Sequence, residues 1–153
     1  MSIALQMDLQ DLNGVGALLD RLRYVDADRL SDEIGALVVS QTQERIANTK
    51  RGPDGDAWPD WSEVYAQTRH GGQSLLFAEG NPGLLSSLTH LVQSGGVEVG
   101  SNLVYAAHHQ FGSDKPSGRG SGVPARPYLG ISSEDAEAIE RLCVHFVERL
   151  AAG

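Results

Sequence analysis

The sequence has a single cysteine, few aromatic residues and no long uninterrupted run of apolar residues. Cys143 has no second thiol to pair with, so an intramolecular disulfide is excluded and we expect synthesis in a reducing compartment. No stretch approaches the roughly 18 apolar residues that a membrane-spanning helix requires. The first residues also lack the basic and apolar regions of a signal peptide. These absences predict a cytoplasmic product that contacts no membrane.

Positive charge is scarce too, since 12 lysines and arginines stand against 20 aspartates and glutamates, for a formal net charge of −8. A dedicated DNA-binding protein usually has the opposite balance, because phosphate neutralisation supplies most of its affinity. The composition therefore argues against specific nucleic-acid binding. An acidic wall would instead allow DNA to pass without adhering, because like charges repel.

The order of predicted elements indicates an α+β fold in one domain, residues 1–153. A domain of this length can bury a core without disulfide bonds. Apolar spacing predicts helices at 9–22, at 28–48 with a stripe of Leu30, Ile34, Leu37 and Val38, and from 132 to the end. Pro82 at a first-turn position predicts a short helical turn at 82–88. Alternation predicts strands at 3–8, 87–93, 96–100, 103–107 and 126–131, and Ser94-Gly95-Gly96 predicts a turn between the second and third of these. We therefore expect a mostly antiparallel sheet of about four strands, with two or three helices packed on one face.

Long irregular loops complete the predicted domain. Residues 52–83 form a long loop in which Pro53-Asp54-Gly55 is a tight turn. Glycine and serine make 112–124 a flexible loop. Ser132 and Asp135 have the spacing of a capping box, which predicts the start of the last helix.

Histidines and acidic residues are the first candidates for a metal site. His108 and His109 are adjacent, so on a predicted strand they face opposite sides and do not converge on one ion; we expect one to pack and one to face solvent. Asp54, Asp56 and Asp60 match the start of a calcium loop, but the closing glutamate is missing. Phosphate-binding and nucleophile motifs are absent as well. We therefore expect no catalytic residue, no metal ligand and no cofactor.

Trp58 and Trp61 are open to two interpretations. As core residues they would hold the long loop against the domain. As surface residues they would anchor a partner, because tryptophan is enriched at binding hot spots. With aromatics at only 6% of the chain, two tryptophans this close together are notable in either case.

The flexible loop carries a local excess of positive charge on an acidic chain. Lys115 and Arg119 lie within it, and Arg126 follows between two prolines that stiffen the backbone. Such an arm would dock onto an acidic neighbour, for example another copy of the chain; the alternative is a solvated loop. A rigid Arg126 would bind a carboxylate through two hydrogen bonds. We therefore expect Arg126→Ala to impair assembly more than folding.

Two motifs near this loop carry a family resemblance. The first is Tyr105-Ala106 followed by His109-Gln110-Phe111-Gly112, and the second runs Pro124-Ala125-Arg126-Pro127-Tyr128-Leu129-Gly130. With the upstream Pro53-Asp54-Gly55 and Trp58, in this order and spacing, the chain resembles the phage virion morphogenesis family of small tail-completion proteins.

The resemblance implies a structural virion protein at the head–tail junction, assembled in the host cytoplasm and acting as a homo-oligomeric ring. It implies contacts with copies of itself, with the tail tube or tail terminator and with head or neck proteins, while DNA passes through unbound. The residues that we expect at such interfaces are Trp58, Trp61, His109, Phe111, Lys115, Arg119, Arg126 and Tyr128.

Three other functions compete with this interpretation. A head-side neck or stopper protein would use the same kind of fold. A monomeric adaptor would bind one partner through Trp58 and Trp61. A small metal-dependent hydrolase would use His108, His109 and the acidic loop, although their spacing does not favour it.

Overall fold

The structure is a computed structural model that describes residues 3–8, 26–78, 83–114 and 122–152. The strands are β1 (Ile3–Asp8), β2 (Gln73–Ser74), β3 (Phe77–Ala78), β4 (Leu88–Gln93) and β5 (Gly96–Ser101). The helices are α1 (Ala27–Glu44), which continues into a π-helical turn (Arg45–Thr49), α2 (Glu63–Ala66), α3 (Leu84–Ser87), α4 (Ala106–Phe111) and α5 (Ser133–Ala152). The predicted α+β class is confirmed.

The main sheet of the described residues has three antiparallel strands in the order β1-β5-β4, and β2 and β3 form a separate small hairpin. β4 and β5 are joined by a two-residue turn in which Gly95 takes a φ of +88°, as the predicted turn requires. Val99 in β5 lies opposite His90 on one side and Leu5 on the other. The described residues therefore do not confirm the expectation of about four strands in this sheet.

Two predicted strands are wrong. Residues 103–107 lead into helix α4, where Ala106 and Ala107 favour helix and the N–H of Ala106 bonds to the carbonyl of Leu103. Residues 126–131 form no strand, because the N–H groups of Tyr128 and Leu129 bond to a side chain and not to a neighbouring strand. The predicted helix at 9–22 lies outside the described residues.

Helix α1 packs on β4, β5 and α5. Its predicted apolar stripe faces the core, since Leu30, Ile34 and Val38 are buried and Leu37 is partly buried against them. Gly35 lies so close to the sheet that an added Cβ would come within 2.7 Å of the His90 ring and Val97. The absence of a side chain at this position sets the spacing between helix and sheet.

Helix α5 begins at the predicted capping box. The N–H of Asp135 donates to Ser132 Oγ at 3.1 Å, and the N–H of Ser132 donates to the Asp135 carboxylate at 2.9 Å. The buried side chains Ile139, Cys143 and Phe146 face the core. No described helix is long and apolar enough to cross a membrane.

The two predicted loops contain local order. Within 52–83 the turn after Pro53 is confirmed, with Gly55 at a φ of +90° and the Asp54 carboxylate accepting from the N–H of Asp56. The same region holds α2 and the β2–β3 hairpin. Of the predicted loop 112–124, residues 115–121 lie outside the described residues, and two hydrogen bonds join Ser113 to Val123 on either side of them.

Candidate functional site

The segment from Arg126 to Gly130, here called the anchor segment, joins parts of the chain that lie far apart in sequence. Gln110 acts as its pairing partner: its side-chain oxygen accepts from the N–H groups of Tyr128 and Leu129, both at 3.0 Å. Its amide nitrogen donates to the Leu129 carbonyl at 3.1 Å. One side chain thereby satisfies three backbone groups that a neighbouring strand would otherwise pair.

Tyr128 fixes the anchor segment from inside the core. Its side chain is fully buried, and its hydroxyl donates to the carbonyl of Ala106 at the start of α4. Burial, with a smaller effect of Tyr105, raises the pKa of the Tyr128 hydroxyl. Tyr128 therefore holds α4 in place as a neutral donor and is not available as a surface contact of the described subunit.

Arg126 and Trp58 tie the anchor segment to the long loop. Arg126 is 5% exposed and donates to the carbonyls of Pro59 at 2.8 Å and Asp60 at 3.0 Å. Trp58 is 5% exposed as well, and its indole N–H donates to the carbonyl of Pro127 at 2.8 Å. Burial lowers the pKa of Arg126, an effect that Asp60 opposes. For Trp58, the core interpretation is correct.

Arg45 adds a contact that sequence analysis did not reveal. Its guanidinium donates to the carbonyl of Tyr128 at 2.6 Å and pairs with Asp135 at 2.5 Å. Asp135 also caps α5, so one carboxylate links the end of α1 to the start of α5. Because buried Arg45 bonds to the carbonyls of Tyr128 and Gly130 and to the Asp135 carboxylate, it orders this junction as a network.

Next to the anchor segment lies a cleft of about 600 Å³, here called the aromatic cleft. The side chains that define it are Trp61, Tyr65, Arg69, Phe77, Tyr105 and His109. The Arg69 guanidinium stacks over the Tyr65 ring at 4.1 Å, and the Trp61 and Tyr65 rings meet edge to face at 6.2 Å. The long loop and α4 thus form facing walls.

His109 forms part of the wall contributed by α4. Its ring meets the ring of Tyr105 edge to face at 5.6 Å. Burial, followed by the charges of Arg126 and His108, lowers the pKa of His109, so its imidazole is neutral at pH 7. The expected division between a packed and an exposed histidine holds for His109 and His108, but on a helix and not on a strand.

The predicted interface residues fall into three groups. Trp58, Arg126 and Tyr128 are buried inside the subunit, Trp61 and His109 line the aromatic cleft, and Phe111 is 73% exposed. Lys115 and Arg119 lie outside the described residues. Sequence analysis missed Tyr65 and Arg69, and because Arg69 lies beyond the end of helix α2, no helical spacing indicated that they stack.

Candidate groups for metal or nucleophilic chemistry do not assemble in the described part of the chain. No cluster of three or more histidine, cysteine or acidic side chains suited to a metal ion occurs there. Asp54, taken from the partial calcium motif, accepts a hydrogen bond within its own turn. Cys143 is buried on α5, and burial raises the pKa of its thiol to about 11, so it stays protonated at neutral pH.

Comparisons with known proteins agree with the motif resemblance. The model of the phage virion morphogenesis family matches residues 9–148. The putative capsid assembly protein G of Escherichia phage Mu is 31% identical over 135 residues, covering 84% of this chain and 85% of that protein. The Mu-like prophage FluMu G protein 2 of Haemophilus influenzae is 33% identical over 145 residues, covering 93% and 96%. No solved structure matches the chain.

Proposed function

The chain belongs to the phage virion morphogenesis family, and we propose that it completes the tail end of a tailed phage or prophage particle and enables stable head–tail joining. The observation that carries this proposal is the family match across residues 9–148. The resemblance motifs lie inside that match, and in the structure they bond to one another through the anchor segment.

In this function the subunit works as part of a homo-oligomeric ring at the head–tail junction. Exposed apolar side chains support the role, since Val64, Val104 and Phe111 are each more than 70% exposed. Such side chains are available to pack against a neighbouring protein, although apolar residues scattered singly are common on protein surfaces. The ring would contact the tail tube or tail terminator on one side and head or neck proteins on the other.

The net charge of −8 fits a ring through which DNA passes. Acidic walls repel the phosphate backbone, so the DNA does not bind to the inner surface of the ring as it moves through. Specific nucleic-acid binding and membrane contact are not part of the proposed role. No catalytic step is required, because completing and joining a particle needs matched surfaces only.

A head-side role is the second candidate. The Mu relative is named a putative capsid assembly protein, which is the observation that favours it. A neck or stopper protein bound to the head would use the same fold and the same kind of exposed apolar groups. The two candidates differ in which half of the particle is defective when the protein is missing.

Electron microscopy of a lysate from a strain lacking this gene, with and without complementation, separates the candidates. Filled heads beside unattached tails are expected for a role at the junction, and overlong tails would indicate termination of the tail tube. Empty or misshapen heads with normal tails would favour the head-side role. Normal infectious virions would contradict both. Complementation with Arg141→Ala, which changes an exposed side chain on α5, controls for the effect of an ordinary surface substitution and should restore normal particles.

A further inference from the structure

The aromatic cleft contains hydrogen-bonding groups that the described residues leave unsatisfied. Three buried side-chain polar atoms have no partner there, and two of them, Arg69 Nε and His109 Nδ1, belong to residues that line this cleft. Buried polar atoms are normally paired, because an unpaired one costs about 1–3 kcal/mol. Both atoms have almost no accessible surface in this state, so an occupant of the cleft would pair with them only after a shift of the lining.

The walls of the cleft suit an apolar side chain. Trp61 and Tyr65 meet edge to face, and the Arg69 guanidinium lies over the Tyr65 ring, which makes this wall a packed platform. Phe77 and Leu76 from the small hairpin line the cleft as well. Leu76 has a φ of +59°, an uncommon conformation for a bulky residue that the surrounding packing must maintain. A volume of about 600 Å³ is in the range of specific binding pockets.

The charge of the cleft is opposite to that of the whole chain. Arg69 and Arg126 bring two guanidinium groups to its lining, whereas Asp60 brings one carboxylate. The chain as a whole carries a formal charge of −8. A locally cationic cleft on an acidic protein selects acidic partners and disfavours basic ones, because opposite charges at an interface determine which partner binds.

We propose that the aromatic cleft binds an extended acidic segment of a different protein of the particle. An apolar side chain of that segment packs against Trp61 and Tyr65, and a neighbouring carboxylate accepts from Arg69. The imidazole of His109 lines the cleft beside Tyr105, and its Nδ1 pairs with the backbone of the segment once the lining has shifted. That the partner belongs to a phage particle rests on the proposed function; the chemistry of the segment rests on the cleft alone.

A defined peptide tests this directly. The probe is the fluorescein-labelled octapeptide Gly-Glu-Asp-Phe-Leu-Glu-Asp-Gly, and its anisotropy is followed as purified full-length protein is added. Saturable binding that weakens with added salt is expected. A matched peptide with lysine at each acidic position should not bind, and one with alanine replacing Phe and Leu should bind at least ~10-fold more weakly.

Variants locate the binding site. Arg69→Ala and Tyr65→Ala should each weaken binding ~10-fold or more, because each removes a charge or a packing surface in the cleft. Arg141→Ala removes an exposed guanidinium elsewhere and should leave the affinity unchanged. Circular dichroism and a thermal melt establish that the variants are folded, and Arg69→Lys replaces Arg69→Ala if that variant is not. Lysine keeps the charge but loses the stacked plane, so it should also bind more weakly.

Several outcomes would overturn the cleft assignment. These are the absence of acidic-peptide binding, equal binding of the lysine peptide, and equal weakening by Arg141→Ala. A Tyr65→Ala variant that converts an oligomer into monomers without affecting peptide binding would identify a second copy of the chain as the occupant. The gene-deletion experiment is independent: normal virions there refute the particle role and leave the peptide result standing.

Discussion

At the scale of single residues, Arg126 shows how a position expected at an interface is used inside the subunit. The sequence predicts a stiff arginine that binds a carboxylate on a neighbour. In the structure Arg126 is buried and bonds to the carbonyls of Pro59 and Asp60, which hold the long loop in place. An effect of Arg126 on assembly would therefore act partly through the shape of that loop and the adjacent aromatic cleft.

Arg126→Ala is expected to lower the free energy of unfolding by ~2–3 kcal/mol, because two part-buried carbonyls lose the charged donor that a buried arginine supplies. Urea denaturation followed by tryptophan fluorescence measures this change. Arg51→Ala is the control, since Arg51 is exposed and bonds to one exposed carbonyl. If both variants unfold at the same urea concentration as the unmodified protein, the buried contacts of Arg126 do not stabilise the fold.

Gly35→Ala is expected to destabilise the protein by ~1–3 kcal/mol, although alanine is the better helix former. The new Cβ would meet the His90 ring and Val97, which are held by the sheet. Ala36→Gly is the matched control on the exposed side of α1 and should cost only the helix-propensity difference of ~1 kcal/mol. Thermal melts of the two variants test this prediction, and a Gly35→Ala variant more stable than the unmodified protein would contradict it.

At the scale of elements, the helices were easier to predict than the strands. Helix α5 has both of its determinants in nearby residues, a capping box at 132–135 and a regular apolar stripe, so its start and buried face are as expected. Residues 126–131 look like a strand because they are extended. Their hydrogen-bond partner is the side chain of Gln110, and no local pattern in the sequence indicates that pairing.

Asp135→Asn tests the junction between α1 and α5. The amide keeps an oxygen that can still cap the helix, but it removes the charge that pairs with buried Arg45. Removing one partner of a buried ion pair typically costs ~3–5 kcal/mol. Glu137→Gln is the control, because Glu137 pairs with Arg141 on the exposed face of the same helix and should cost less than ~0.5 kcal/mol. Equal stability of the two variants in urea would refute a role for the Arg45 network.

At the scale of the whole molecule, the family motifs have a structural explanation. Trp58, which follows the turn at Pro53, and the helix that contains Gln110 both bond to the anchor segment, so these motifs appear together because each one positions the others. The surface available to partners is then made by other groups. These are the walls of the aromatic cleft and the exposed apolar side chains.

Phe111→Ser tests the use of one exposed group in the assembled particle. Phe111 is 73% exposed, so the free energy of unfolding should change by less than ~0.5 kcal/mol. If Phe111 packs against a neighbour in the particle, the yield of infectious virions in the complementation experiment should fall ~10-fold or more, because exposed aromatic residues are frequent hot spots. Unchanged infectivity would show that this side chain stays free after assembly.

The sequence by itself determined the features that depend on neighbours along the chain. These include the α+β class, the faces of α1 and α5, the turn at Gly95 and the family, because periodicity, caps and ordered motifs are local signals. The tertiary structure decided which distant groups meet: Arg45 reaches a carbonyl 83 residues away, and Arg126 reaches one 67 residues away. Such contacts depend on how the whole chain packs, so the aromatic cleft was visible only in the folded protein.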